Sequence, residues 1–279
     1  MCPSMIVTLC AILLVTASSM IVNDFYDAKN GADMHKVIHA NDNHISEKPL
    51  VSGDLPLNVA RDFLKLLYGS LLLLSAFVPS VGSRLLVIVA TMITYCYTSY
   101  LKPIVWVKNV SCAFLMAVSP LTSAIATTHL HSIPYSHLWP DLGLLIISLF
   151  FGFFGREMLM DINDFDADKR SGIETVPVKY GITSASIIVF KMWILSGIIV
   201  SASPIFALFQ YMYKEKDFVF TALIQQASFR QSILAVSGAI TLSRSAFRVR
   251  NNEGMRKDIN DTAIEDCKRA LLFYLAAFI

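Results

Sequence analysis

The part of the chain that decides the fold is the stretch from residue 141 to residue 168, which reads DLGLLIISLFFGFFGREMLMDINDFDAD. Its first ~20 residues are mostly apolar, which is about the length that a helix needs to cross the hydrocarbon core of a bilayer. The apolar run ends in a cluster of acids, because four aspartates fall within residues 161–168. The stretch therefore predicts a membrane helix that carries a polar site at one end.

Apolar runs of similar length recur along the whole chain. Hydrophobic residues make up 55% of the 279 residues and charged residues only 16%, with a mean hydropathy of +0.57, whereas a soluble chain carries about a quarter charged residues. This composition excludes a soluble enzyme, a disordered chain and a disulfide scaffold, and it predicts an all-α, multi-pass integral membrane protein. The predicted membrane helices lie near residues 3–22, 63–80, 84–101, 109–128, 140–160, 182–212, 218–243 and 267–279.

Basic residues are distributed unequally between the two sets of loops. If the spans alternate, the side that receives the acid cluster carries fourteen Lys and Arg residues, whereas the other side carries Lys214 and Lys216, with Arg84 at a boundary. Lysine and arginine concentrate in loops that are not translocated. The acid cluster is therefore expected to face the cytosol, stroma or matrix, and the pattern leaves open which membrane holds the protein.

Charge and cysteine usage exclude several classes of partner. The net charge is only +2 and no block of basic residues is present, so nucleic acid is not an expected ligand. The five cysteines are scattered without CxxC spacing, so neither disulfides nor zinc are expected. The first apolar run has no basic residue before it and leads into Asn23-Asp24 rather than a cleavage site, so it is predicted to be a membrane helix and not a signal peptide.

A second acid cluster, NDFYD at residues 23–27, ends the first apolar run on the same predicted side. Residues at i, i+3 and i+7 share one helix face, so Asp161, Asp164 and Asp168 are expected to point the same way. Like charges at this spacing repel one another, and carboxylates at a helix C-terminus oppose the macrodipole. Two such clusters therefore predict a compensating cation, although solvated helix ends are an alternative interpretation.

Magnesium is the predicted cation, because it takes one or two carboxylates and completes its octahedron with water and phosphate oxygens. Two acid clusters that face each other across a helix bundle would hold a diphosphate through bridging Mg²⁺ ions. The predicted metal ligands are Asn23, Asp24, Asp27, Asp161, Asp164 and Asp168.

Basic residues on the same predicted side fit a diphosphate ligand, which needs Lys or Arg donors in addition to metal. An ordinary positive-inside distribution is the alternative explanation for each of these lysines. Arg156 and Glu157 precede the acid cluster within the span and are expected to pair with each other or with loop groups and to orient the cluster. The predicted diphosphate-binding residues are Lys29, Lys102, Lys108, Asn109 and Lys169.

These residues resemble the UbiA superfamily of intramembrane prenyltransferases. The first family motif, NDxxDxxxD, is matched by Asn23-Asp24 and Asp27, and the second motif, DxxDxxxD, is matched by Asp161, Asp164 and Asp168. Flanking segments are also similar to family segments: Lys48–Gly53, Tyr97 with Lys102, Lys108 and Asn109, and the Gly172–Gly181 tail.

The chain departs from the family pattern at three places. Gly31 stands where the last Asp of the first motif is expected, and Asp33 is a candidate replacement. The family has nine helices, and the helix before the first motif and the end of the last helix are not found here. The resemblance thus implies a single UbiA-type domain over residues 1–279, with about eight visible transmembrane helices around a central cavity open to the basic-loop side.

The activity that the resemblance implies is Mg²⁺-dependent transfer of a polyprenyl group from a prenyl diphosphate to an acceptor within the membrane. Such an enzyme is a transferase of alkyl or aryl groups other than methyl. Its implied partners are the prenyl diphosphate, a lipid-soluble or amphipathic acceptor and membrane lipid. Asp27 and Asp164 are expected to contribute most to catalysis, and Tyr97 is the candidate acceptor-binding residue.

The acceptor is left open by two conflicting similarities. The run from Arg156-Glu157 to Asp168-Lys169 is similar to enzymes that prenylate glyceryl lipids, whereas the loop from Lys48 to Leu55 is more similar to enzymes that prenylate an aromatic ring. We expect an aromatic acceptor and hence a role in quinone or prenyl-lipid biosynthesis, with a glyceryl-lipid or chlorophyllide-type acceptor as the alternative.

Two non-enzymatic alternatives also remain. A cation-coupled transporter would show acids in mid-span and broken helices in paired positions, whereas both acid clusters here end their spans. An inactive relative that acts as a membrane scaffold would carry the same helices without turnover, so only an assay distinguishes it.

Overall fold

The computed structural model describes residues 3–30, 49–101, 104–131, 139–170, 172–214 and 227–278. Within these ranges the chain forms helices joined by turns, and no strand is present. The first half contains α1 (Pro3–Asn30), α2 (Pro49–Ser52), α3 (Leu57–Ser75), α4 (Val81–Cys96), a π-helical turn (Tyr97–Leu101) and α5 (Val107–His131). The second half contains α6 (Trp139–Asn163), α7 (Phe165–Arg170), α8 (Val176–Tyr180), α9 (Ile182–Lys214), α10 (Ala227–Asn251) and α11 (Lys257–Phe278).

The prediction of an all-α architecture is confirmed, and each predicted span overlaps one described helix. Residues 218–226 of the predicted span 218–243 lie outside the described residues. The largest differences are at the start of α11, which begins at Lys257 instead of residue 267, and at the ends of α1 and α10, which continue to Asn30 and Asn251 instead of residues 22 and 243. Helix α3 also begins early, at Leu57 instead of residue 63. The starts of α3 and α11 both contain charged residues that lower the local hydropathy. Hydropathy alone therefore places their starts too late.

Four described helical segments are both long and apolar enough to cross a membrane, and Val81–Cys96 is a shorter apolar helix. The remaining long helices, α3, α10 and α11, carry charged residues near one or both ends, which reduces their apolar length. The four segments are Met5–Lys29, Val107–Thr128, Asp141–Asn163 and Ile182–Ala202.

The first of two compact units comprises residues 1–104 and 119–133. In this unit α1 packs against α3 and α4, and its core contains Ala11, Leu71, Val78 and Val87. The Ser83 hydroxyl of α4 donates a hydrogen bond of 3.0 Å to the carbonyl of Thr122 in α5. This bond satisfies a buried hydroxyl and joins α4 to α5 through two residues that are 39 positions apart in sequence.

The second unit comprises residues 105–118 and 134–279, and it contains the larger core. Helix α6 packs against α9 and α11, and α10 packs between α9 and α11. Trp193 is fully buried, and its indole N–H donates to the Gly152 carbonyl at 3.0 Å. A Cβ on Gly155 would lie only 2.5 Å from the same indole nitrogen. Glycine at this position lets α6 and α9 approach closely enough to bury the tryptophan.

Candidate active site

The second acid motif lies where α6 ends and α7 begins. The amide of Asp164 donates to the Met160 carbonyl at 3.0 Å, and the amide of Asp168 donates to the Asp164 carbonyl at 2.8 Å. These bonds continue the helical hydrogen-bond pattern across the junction. Asp161 is only 2% exposed, Asp168 is half-buried and Asp164 is exposed.

Asp161 is held by two side chains from the first turn of α5. The Lys108 ammonium donates to Oδ1 and forms a salt bridge with it, and the Asn109 side-chain amide donates to Oδ2 at 2.9 Å. Asn109 is 1% exposed. Both oxygens of this buried carboxylate are therefore engaged by groups predicted to bind diphosphate, and the role of Asp161 as a metal ligand stays a prediction.

The start of α5 is fixed by the residue that precedes it. Trp106 has a positive φ of 72°, a conformation that bulky side chains rarely adopt and that persists only where the surroundings enforce it. Its ring stacks on Phe154 with 6.3 Å between centroids and lies 6.1 Å from the Tyr180 ring. The Trp106 carbonyl accepts from the amide of Val110 at 2.9 Å. This packing holds the first turn of α5, which carries Lys108 and Asn109.

Asp168 has an unsatisfied carboxylate oxygen. Its Oδ2 is buried and makes no hydrogen bond within the described part of the chain. Burial raises the pKa of Asp168 to about 6, and the nearby Asp161 and Asp164 charges act in the same direction, whereas Lys108 and the Thr175 hydroxyl act in the opposite direction. A buried, orphaned carboxylate oxygen beside other acids is the environment that a divalent cation relieves.

The first acid motif lies near the C-terminus of α1, in the first unit. The Asn23 side-chain amide donates to Oδ2 of Asp27 at 3.0 Å, and Asn23, Asp24 and Asp27 are all half-buried. Lys29 is exposed, with its ammonium 5.7 Å from the centroid of the Tyr26 ring. The structure thus brings Asn23 and Asp27 together.

Several predicted residues lie elsewhere or outside the described ranges. Lys169 is exposed and lies over the Phe165 ring at 5.7 Å, and Tyr97 begins the π-helical turn in the first unit. Lys102, together with Gly31 and Asp33 of the first motif, falls outside the described residues. Within the described ranges, no group of three or more His, Cys, Asp and Glu side chains is close enough to hold a metal ion by itself.

A protein-family model described as the UbiA prenyltransferase family matches residues 3–253. The chain belongs to the UbiA prenyltransferase family. The family predicted from the two acid motifs is thereby confirmed. Together with its four long apolar helical segments, membership in this family makes the chain an integral membrane protein, as predicted.

The chain is similar to archaeal members of this family. It is 30% identical over 209 residues to the digeranylgeranylglyceryl phosphate synthase of Sulfolobus acidocaldarius, a match that covers 73% of this chain and 66% of that protein. It is 29% identical over 174 residues to the protein of the same name from Pyrococcus horikoshii, covering 60% and 53%. The chain thus spans between about half and two thirds of the length of these relatives.

Solved structures share the fold at low sequence identity. A UbiA homologue from Archaeoglobus fulgidus bound to DMAPP and Mg²⁺ matches with a TM-score of 0.63 at 14% identity, over 100% of this chain and 88% of that chain. A structure of digeranylgeranylglyceryl phosphate synthase in membranes matches with a TM-score of 0.65 at 19% identity, over 98% and 83%. These similarities confirm the predicted UbiA-like fold.

Asn163, which lies between Asp161 and Asp164, has a structural role that was not predicted from the sequence. The Asn260 side-chain amide donates to Oδ1 of Asn163 at 2.9 Å and to the Gly254 carbonyl at 2.8 Å, and the Asn163 amide donates to Asp261 at 2.7 Å. These bonds tie the start of α11 to the end of α6. A second asparagine 97 residues away carries no local signal that could have indicated the contact.

The predicted pairing of Arg156 with Glu157 is confirmed. The guanidinium donates to Glu157 Oε1 at 2.6 Å, and both side chains are largely buried within α6. Nε of Arg156 is buried and makes no hydrogen bond to the described residues. The pair precedes Asp161 by about one turn of α6, so it belongs to the same end of the helix as the second motif.

Proposed function

We propose that this protein transfers a prenyl group from a prenyl diphosphate to a lipid acceptor in a Mg²⁺-dependent reaction. The observation that carries the proposal is the end of α6, where an exposed Asp164 and a buried, orphaned Asp168 oxygen accompany the Lys108 ammonium that pairs with Asp161. The UbiA family match supports this assignment.

The donor set of the second motif fits magnesium. Asp164 and Asp168 offer hard carboxylate oxygens, and Mg²⁺ is usually held by one or two carboxylates with phosphate oxygens completing the shell. A site of this kind needs no cluster of three protein ligands. In the second unit Asp164 and Asp168 would hold the ion, and in the first unit Asn23, Asp24 and Asp27 are the candidates. The Archaeoglobus homologue bound to Mg²⁺ with DMAPP or GPP supports this choice of metal.

Bound magnesium would neutralise the charge that develops on the departing diphosphate. The residues of this chain contribute binding and orientation. Lys108 offers an ammonium, which is a strong donor to phosphate oxygens, from a helix start that Trp106 fixes. The apolar residues Phe154, Met158 and Ile162 are buried on α6 beside the motif. Exclusion of water by such residues protects an allylic cation from hydrolysis.

We further propose a glyceryl-lipid acceptor, since the similar archaeal proteins are named digeranylgeranylglyceryl phosphate synthases. In that reaction an acceptor hydroxyl oxygen forms a bond to the prenyl C1, the bond from C1 to the diphosphate oxygen breaks, and diphosphate and a proton are released. The similarity of the Lys48–Leu55 loop to enzymes that prenylate an aromatic ring favours an aromatic acceptor as the second candidate.

An acceptor panel tests both the activity and the choice of acceptor. The full-length protein in lipid vesicles is incubated with labelled geranylgeranyl diphosphate, Mg²⁺ and either a geranylgeranylglyceryl phosphate or homogentisate. We expect ether product only with the glyceryl lipid and only with Mg²⁺. Product only with the aromatic acceptor would reassign the substrate, and full turnover after exhaustive chelation with EDTA would disprove the metal requirement.

A further inference from the structure

We propose that Asp161 is a positioning residue that orients Lys108 and Asn109 toward the diphosphate, and that it is not a magnesium ligand. The inference rests on the proposed function and assigns different tasks within one aspartate motif. Asp164 and Asp168 would serve the cation, whereas Asp161 would serve the two donors from α5.

The Asp161 carboxylate is engaged on both of its oxygens. Each oxygen of Asp161 accepts from a different side chain, Oδ1 from Lys108 and Oδ2 from Asn109. The carboxylate is 2% exposed and Asn109 is 1% exposed. A metal ion would have to reach this carboxylate beside two bound donors, at a position that water barely reaches. Asp164, by contrast, is exposed, and Asp168 has an oxygen without a hydrogen bond to the described chain.

Lys108 is a largely buried cation whose charge Asp161 compensates. Removing the counter-charge of a buried ion leaves an uncompensated charge, which is strongly unfavourable. The Lys108 side chain is only 18% exposed, and Asp161 is the acid that compensates its charge most, with Asp168 and Glu157 contributing less. The salt bridge therefore favours an arrangement in which Asp161 stays with Lys108 while the cation binds elsewhere on the motif.

Lys108 and Asn109 have N–H donors that remain for the substrate after each has donated one hydrogen bond to Asp161. An ammonium group has three N–H donors and a primary amide has two, and Asp161 accepts one from each partner. Further N–H donors are therefore held in a fixed direction by the same carboxylate. The stacked Trp106 ring limits movement of the helix start, so loss of Asp161 would free the side chains without moving the backbone.

The test separates diphosphate binding from metal binding in the full-length protein. Geranylgeranyl thiodiphosphate, which binds without reacting, is titrated in the presence of Mg²⁺, and Mn²⁺ binding is measured by electron paramagnetic resonance at saturating thiodiphosphate. We expect Asp161→Asn to weaken thiodiphosphate binding roughly tenfold or more and to change Mn²⁺ affinity less than about twofold, as for a lost charge-assisted contact. Asp164→Asn should chiefly weaken Mn²⁺ binding. Asp166→Asn, an exposed neighbour outside the motif, is the charge control and should leave both values unchanged.

Asp161→Asn leaves Lys108 without its counter-charge and could prevent folding, so the double variant Lys108→Met/Asp161→Asn is measured as well. It removes both charges at similar volume, which buried ion pairs often tolerate. We expect the double variant to retain Mn²⁺ affinity at saturating thiodiphosphate while thiodiphosphate affinity falls as far as in Lys108→Met alone.

Loss of Mn²⁺ binding in Asp161→Asn or in the double variant, to the extent seen in Asp164→Asn, would overturn the inference. Unchanged thiodiphosphate binding in the double variant would also overturn it. A wild-type protein that binds thiodiphosphate with Mn²⁺ but makes no prenylated product with any acceptor would instead contradict the proposed function, while the division of tasks within the motif could still be judged from binding.

Discussion

At the scale of single residues, three aspartates of one motif lie in three environments. Asp161 is enclosed and paired, Asp164 is exposed, and Asp168 has one buried oxygen without a partner in the described structure. Their spacing predicted a shared face, which stays a prediction, while the helical hydrogen bonds continue across the α6–α7 junction. The spacing could not predict the difference in burial, because the partners of Asp161 are 52 and 53 residues away.

Replacement of Asp164 by alanine is expected to lower kcat by several orders of magnitude. The carboxylate would hold the ion that neutralises the departing diphosphate, an interaction that strengthens in the transition state. Single-turnover assays with labelled prenyl diphosphate measure the effect. Asp166→Ala, which removes an exposed charge two residues away, is the matched control, and turnover unchanged in Asp164→Ala would reduce this residue to a solvated helix end.

Replacement of Gly155 by alanine is expected to lower the free energy of unfolding by roughly 1–3 kcal/mol, the usual cost of overpacking a core. The new methyl group would lie 2.5 Å from Nε1 of the fully buried Trp193. Thermal unfolding in detergent measures the change. Gly143→Ala on the same helix meets no atom within 4 Å and should leave stability unchanged or slightly higher. Equal effects of both substitutions would show that the close packing of α6 on α9 is not limiting.

At the scale of elements, hydropathy predicted the apolar centres of the helices better than their ends. Helix α6 was expected over residues 140–160 and spans Trp139–Asn163. Helix α11 was expected only from residue 267 because its first ten residues include charged side chains such as Asp258 and Asp261. These residues face polar partners, since Asp261 accepts from Asn163. Such tertiary contacts cannot be read from a window of hydropathy.

The link between α11 and α6 predicts a stability effect. Asn260→Ala removes the donors to Asn163 Oδ1 and to the Gly254 carbonyl, and Asn260 is 1% exposed. Buried acceptors left without donors cost roughly 1–3 kcal/mol in free energy of unfolding. Chemical unfolding in mild detergent tests this. Thr262→Ala, on the exposed side of the same helix, should cost far less, and similar losses for both variants would contradict a specific role of the asparagine.

At the scale of the whole molecule, the sequence predicted the family, the membrane location and the all-α fold, because these depend on apolar length and on motif spacing. Each of the two units carries one acid motif. The prediction that both motifs bind one diphosphate stays a prediction. The acceptor was predicted from two similarities, one in the Arg156–Lys169 run and one in the Lys48–Leu55 loop, and these pointed to different substrates.

Ligand-linked stability provides a test on the complete protein. A ligand that binds only the folded state stabilises it by about 2.7 kcal/mol at 100 times its Kd. We expect geranylgeranyl thiodiphosphate to raise the unfolding temperature with Mg²⁺ present and to raise it little after chelation, because the acids repel an unaccompanied diphosphate. Scanning fluorimetry with a label outside the motifs measures both conditions. An equal rise with and without Mg²⁺ would argue against metal-bridged binding.

The stacked position of Trp106 gives the protein an intrinsic optical reporter. It is one of three tryptophans, it packs on Phe154, and it stands two residues before Lys108. Indole emission responds to charges and water nearby, so arrival of a diphosphate at Lys108 should shift or quench the emission of this residue. Subtracting the spectrum of Trp106→Phe from that of the wild type isolates the signal, and binding could then be followed in real time without any labelled substrate.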